Sequence, residues 1–186
     1  MICRIMRRIT YLIAITWIAG LLTLSCSESS VGNDDLGLGN ATFSVSGDVE
    51  GSKSGMADFS GFNMNNLYSW DISIHDFDPQ TFSLQFMIVS DSEIEQPSTG
   101  TYSIGNEPDS DFTASFTDTE DGFDNSVEYS TLFGEYSGTL TITESGSDVI
   151  KGTFSFTAGE ENFDPEVPNR EVSVTNGEFE ARPRMQ

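Results

Sequence analysis

The feature that most constrains this chain is an alternation of apolar and polar residues that returns again and again along it. In ATFSVSG, Ala41, Phe43 and Val45 alternate with Thr42, Ser44 and Ser46. WDISIH repeats the pattern with Trp70, Ile72 and Ile74, and TFSLQFMIVS with Phe82, Leu84, Phe86 and Ile88. FTASFT does so with Phe112, Ala114 and Phe116, GTLTIT with Leu140 and Ile142, and VIKGTFSFTA with Ile150, Phe154 and Phe156. A period of two puts each apolar set on one face of an extended strand, so these segments read as half-buried strands. No segment carries a helical period of useful length.

Turn formers separate the runs: Gly47-Asp48, Pro79, the Pro97–Gly100 bracket, NEPDSD and the acidic DTEDGFDNS. Val49 to Phe59 reads as a weaker, glycine-interrupted strand, and SGFNMNNL as a loop. TYSIG is a short strand, and Val127 to Phe133 a strand of ambiguous period. In EVSVTNGEFEA the Asn176-Gly177 pair predicts a closing hairpin with a type I′ turn, and Pro183 is expected to end the strand. About nine or ten short strands at this spacing predict an all-β fold. The expected form is a mostly antiparallel meander, as a β-sandwich or flattened barrel.

The front of the chain differs from all of this. Arg4, Arg7 and Arg8 precede an apolar run from Ile9 to Leu24, and no acid occurs before Cys26. A basic start, an apolar middle and a small residue before the boundary form a secretory signal. The run of 16 residues is shorter than the roughly 20 that a bilayer crossing needs. The segment Leu22, Thr23, Leu24, Ser25, Cys26 resembles the box of bacterial lipoprotein signals, in the relaxed form found in Bacteroidota, with Thr23 where Leu is usual. The resemblance implies cleavage before Cys26, a diacylglycerol on its sulfur and an acyl chain on its amine. Ser27 in place of Asp implies, by the same resemblance, sorting to the outer membrane, with the domain facing the periplasm or the cell surface.

The expected organisation is therefore a signal peptide at 1–25, a lipidated Cys26 with a Ser-, Gly- and Asp-rich tether over 26–40, one β domain over 41–182 and a tail at 183–186. With Cys3 in the signal and Cys26 acylated, no disulfide and no cysteine metal site is expected. The segments GTLTIT, IKGTFSF and VTNGEF also resemble the closing part of small Bacteroidota lipoproteins of uncharacterised function. That likeness is one of strands and turns and implies no catalytic residues.

Charge narrows the partners. The chain has 30 acidic and 8 basic side chains and a formal charge of −22. After the signal the bases are Lys53, Lys151, Arg170, Arg182 and Arg184 alone. Phosphate backbones are bound by clusters of Lys and Arg, so nucleic acid is excluded as a natural partner. The expected partners are the membrane, through the lipid, and an envelope protein or glycan. An acidic coat also keeps a domain soluble, and suits saline surroundings.

Catalysis finds little support. The one histidine, His75, stands at a strand end beside Asp76 and Asp78 and is expected to be exposed; no GxSxG elbow accompanies it. Carboxylate pairs for glycan hydrolysis are too numerous to single one out. The expectation is a non-enzymatic module that binds a ligand or partner, against a purely structural lipoprotein or a carboxylate-dependent hydrolase. No cofactor is expected other than calcium, which takes oxygen ligands from flexible acidic loops. Its candidate ligands are Asp118, Glu120, Asp121 and Asp124 in one loop, and Glu160, Glu161, Asp164 and Glu166 in a second. Neither loop has EF-hand spacing. Trp70, Tyr68, Phe62 and Tyr102 are weighed as a sugar platform, with Trp70 in phase with Ile72 and so expected in the core.

Overall fold

The computed structural model describes residues 38–77, 80–120, 122–161 and 169–184. The signal peptide, Cys26, most of the tether, Asp121, Asp164 and Glu166 lie outside them. Ten strands form one sheet: β1 (Asn40–Gly47), β2 (Gly51–Met64), β3 (Leu67–His75), β4 (Phe82–Ser90), β5 (Gly100–Gly105), β6 (Thr113–Asp118), β7 (Val127–Ser130), β8 (Ser137–Ser145), β9 (Ile150–Glu160) and β10 (Glu171–Pro183). Two three-residue 3-10 turns, Phe123–Asn125 and Thr131–Phe133, are the only helical pieces among the described residues. No helix among them is long and apolar enough to cross a membrane.

Eight strands close on themselves. The ring runs β1-β2-β3-β4-β6-β7-β9-β10 and returns to β1, with every neighbour antiparallel. β8 and β5 are added outside that order. β9 meets β7 only at Gly159 and Glu160, while β8 occupies the same edge from Ile150 to Phe156. The wall therefore forks between β6 and β9, and an Ile104–Phe112 bridge ties β5 back to the approach of β6. The expected meander holds from β1 to β4, and the choice between sandwich and barrel falls to the closed barrel.

The apolar sets of the alternating strands all point inward. Ile72, Ile74, Phe86, Phe116, Leu140 and Ile150 are completely buried. An eight-stranded barrel is just wide enough for side chains to fill it, and phenylalanines fill this one. Phe86 meets Phe154 edge-on at 4.9 Å, and Phe43 meets Phe82 at 5.2 Å. Trp70 lies among them, against Phe59 and Phe112.

Two local expectations are corrected. SGFNMNNL is not a loop: β2 runs on to Met64, and Asn65 and Asn66 make a two-residue turn into β3, with left-handed φ of 54° and 67°. Positive φ at both central residues is the signature of a type I′ turn, which asparagine tolerates. Conversely, Asn176-Gly177 is not a hairpin turn. β10 passes straight through it, Asn176 takes φ 53°, and the register slips by one residue against both β1 and β9. The pair forms a β-bulge. A Cβ on Gly177 would lie 2.4 Å from the Phe154 ring, so only glycine fits there.

Smaller differences follow at the ends. The strand signal of Val127–Phe133 stops at Ser130, whose Oγ accepts from the Leu132 amide and starts a 3-10 turn. Pro183 is itself the last residue of β10, paired in parallel with Phe59.

Candidate functional site

Strand alternation leaves two outer faces with distinct chemistry. The first is on β2, β3 and β4. Their outward residues include Asp58 and Ser60 on β2 and Asp71, Ser73 and His75 on β3. Asp58 and Asp71 are nonetheless 5% and 6% exposed, because Arg184, just past β10, lies over them. Its Nε donates to Asp58 Oδ1 at 2.7 Å, and its Nη2 to Asp71 Oδ2 at 2.8 Å and Ser73 Oγ at 2.9 Å. Ser60 and Ser73 hydroxyls complete the shell by donating to the two Asp71 oxygens. Buried carboxylates need such partners.

His75 is half-buried rather than exposed, which corrects the reading from sequence. Its ring packs edge-on against Phe77 at 4.4 Å, and its Nε2 stands 3.9 Å from Asp58 Oδ2, beyond hydrogen-bond reach. Burial holds the imidazole below its ordinary pKa; Asp58 opposes the shift and Arg184 adds to it. A depression of about 370 Å³ opens beside it, lined by His75, Phe77, Gln80, Ser83 and Gln85 among others. No signal in the sequence pointed to Asp58, Asp71 and Arg184 as one cluster, since Arg184 is 126 residues from Asp58.

Beyond Phe59 the β2–β3 hairpin projects with no partner strand on its β2 edge among the described residues. Phe62, Met64 and Leu67 on it are 58%, 56% and 52% exposed. Tyr68 and Trp70 belong to the opposite, inward phase, and Tyr102 packs on Phe112. The four aromatics weighed as a sugar platform therefore do not share a face, and Trp70 is core, as expected.

The second face is on β8, β9 and β10. Thr139, Thr141, Thr153, Ser155, Thr175, Asn176 and Glu178 line a groove of about 500 Å³. Cross-strand pairing stacks hydroxyls into rows that continue from the groove onto β5: Thr153, Thr141 and Thr101 in one, Ser155, Thr139 and Ser103 in the next. The bulge shapes it by leaving two successive residues of β10, Thr175 and Asn176, exposed. Next to it, Lys151 pairs with Glu180 at 3.2 Å and Glu144 at 3.5 Å beside Asn40 and Thr42.

The calcium candidates among the described residues have separate neighbours. Glu120 is held by Lys53 Nζ at 2.5 Å, and Asp118 Oδ1 accepts from the Glu120 amide. Asp124 is exposed in a 3-10 turn. Glu160 faces Arg170 at 3.6 Å, and Glu161 is exposed. Among the described residues, no three His, Cys, Asp or Glu side chains are grouped to hold a metal ion. Lys53 was not singled out from sequence. It points in phase with Ala57 and Phe59, its ammonium 5.9 Å from the Phe82 ring centre.

A family model described as a domain of unknown function, DUF6252, matches residues 81–183. That is more than half of the chain and takes in β4 to β10, including the hydroxyl groove. No curated protein and no solved structure matches the chain.

Proposed function

The chain belongs to the DUF6252 family, and we propose that it is a lipid-anchored, non-enzymatic envelope protein whose barrel binds a glycan in the hydroxyl groove of β8, β9 and β10. The observation that carries this reading is the set of side chains lining that groove. Five hydroxyls, an amide and a carboxylate converge on about 500 Å³, and each both donates and accepts or accepts strongly. Sugar hydroxyls need alternating donors and acceptors of this kind. Single hydrogen bonds of this type contribute about 0.5–1.5 kcal/mol, so affinity grows with the number of sugar units laid along the rows. The described core side chains pack on one another inside the barrel, and the groove lies on its outer face.

The anchor supplies the location. One acyl chain on Cys26 would bind a bilayer marginally, whereas two or more hold it stably. With Ser27 after the acylated Cys26, the proposed location is the outer membrane, within reach of envelope glycans.

Two measurements test the proposal. Intact mass of the protein extracted from membranes should show Cys26 at the amino terminus carrying its acyl groups; a free thiol there rejects the anchor. Titration of residues 26–186 with envelope polysaccharide fragments should give binding that falls at least tenfold in a Thr141→Val, Thr153→Val double variant. Binding that survives this change, or no binding to any fragment, rejects the glycan reading.

A further inference from the structure

Seven large apolar side chains are about half exposed or more among the described residues, and four of them share one face. Met64 pairs across the hairpin with Leu67, Phe62 pairs with Ser69, and Ser69 pairs with Val89 on β4. Residues directly opposite in a sheet point the same way, so Phe62, Met64, Leu67 and Val89 form one apolar patch on the projecting β2–β3 hairpin and its neighbour. The stretch from Phe59 to Trp70 carries no charge, in a chain whose formal charge is −22. Contiguous apolar surface on an otherwise acidic protein marks an interaction site.

The route of the chain indicates the occupant. Gly39 and Ala57 exchange backbone hydrogen bonds at 3.1 and 3.2 Å, so the chain enters the barrel alongside β2. β1 runs antiparallel to β2 from there, which puts the entry on the half of β2 that leads to the hairpin. At about 3.4 Å per residue the tip at Met64 lies about 24 Å beyond Ala57. Twelve residues, Ser27 to Leu38, separate Cys26 from that entry, a span of at most about 43 Å. The hairpin tip lies within it.

We propose that the β2–β3 hairpin is a membrane-contact element, whose Phe62, Met64 and Leu67 side chains enter the interface of the bilayer that holds Cys26. The inference rests on the lipid anchor proposed above. The lack of charge is what this role needs, because a carboxylate at the tip would have to be desolvated as it entered the interface. The groove of β8–β10 lies across the ring from β3, so a barrel seated on its hairpin presents the groove away from the lipid.

The test supplies the anchor chemically, so its outcome does not depend on whether cells acylate Cys26. Residues 26–186 carry Cys26 as their single cysteine and Trp70 as their single tryptophan. This chain, with a Phe62→Trp change, is coupled through Cys26 to a maleimide lipid in phosphatidylcholine vesicles. Replacing the lipid with its dibrominated form should quench the new tryptophan at least twofold and leave the buried Trp70 of the unchanged chain unquenched. A Leu67→Trp chain should behave the same way. Unquenched emission from both variants overturns the proposal, as does a photo-crosslinker at position 62 that captures a protein instead of lipid in intact cells. The lipoprotein reading fails separately, by mass at Cys26.

Discussion

Arg184 bridges Asp58 with a guanidinium nitrogen 2.6 Å from the carboxylate, across 126 residues of chain. The same Nη2 reaches Asp71, so one side chain near the carboxy terminus compensates two buried acids. It also pins the end of β10 to β2, where the Arg184 amide donates to the Phe59 carbonyl.

Removing Arg184 should therefore destabilise the barrel. Breaking a fully buried pair costs about 3–5 kcal/mol. The Arg184 side chain is 43% exposed, so solvent screening brings the expected loss in Arg184→Ala down to about 2 kcal/mol. Urea denaturation measures it. An Asp58→Asn, Asp71→Asn background should absorb most of the loss, and equal losses in both backgrounds would show that the pair is not the cause.

His75 predicts a pH effect. Its folded pKa lies below 6.5, chiefly through burial. The unfolded chain then binds more protons, so stability rises with pH. The contribution is complete above pH 6.5 and is lost as pH falls through that value toward the lower folded pKa. Between about pH 7 and 5 the wild-type protein should lose stability faster than a His75→Gln variant. Parallel pH profiles would refute this.

Tyr129 gives an inverse expectation. It is fully buried, and its hydroxyl has no hydrogen-bond partner among the described residues. Leaving such a group unsatisfied costs about 1–3 kcal/mol. Tyr129→Phe should thus be neutral or stabilising by about 1 kcal/mol in thermal denaturation. A clear loss would mean that the hydroxyl is bonded.

The bulge should tolerate little. Gly177→Ala drives a Cβ into the Phe154 ring and is expected to cost about 1–3 kcal/mol. Asn176→Gly, which keeps left-handed φ accessible, should cost far less. Loss of the bulge would also reshape the groove, so Gly177→Ala should weaken glycan binding.

Much of the barrel wall was legible from sequence because alternation is a local signal. Phe82, Leu84 and Phe86 point inward because each step along a strand reverses the side-chain direction. The two asparagine-rich pairs misled for an equally physical reason. Asn65-Asn66 and Asn176-Gly177 both favour left-handed backbone, and the same conformation serves a hairpin turn or a bulge. Which one forms depends on whether the flanking strands pair with each other. Leu67 pairs with Met64, whereas β10 on both sides of Asn176 pairs with β1 and β9.

What the sequence determined alone was the all-β class, the inward set of phenylalanines and aliphatics, and the acidic surface, since each follows from residue type and spacing. Tertiary structure alone decided the closure of eight strands into a barrel, the fork filled by β8 and β5, the Arg184 clamp over Asp58 and Asp71, and the gathering of Phe62, Met64, Leu67 and Val89 on one face. These depend on which strands become neighbours, and strand pairing is set by the shared burial of side chains distant in sequence, which no local window of residues contains.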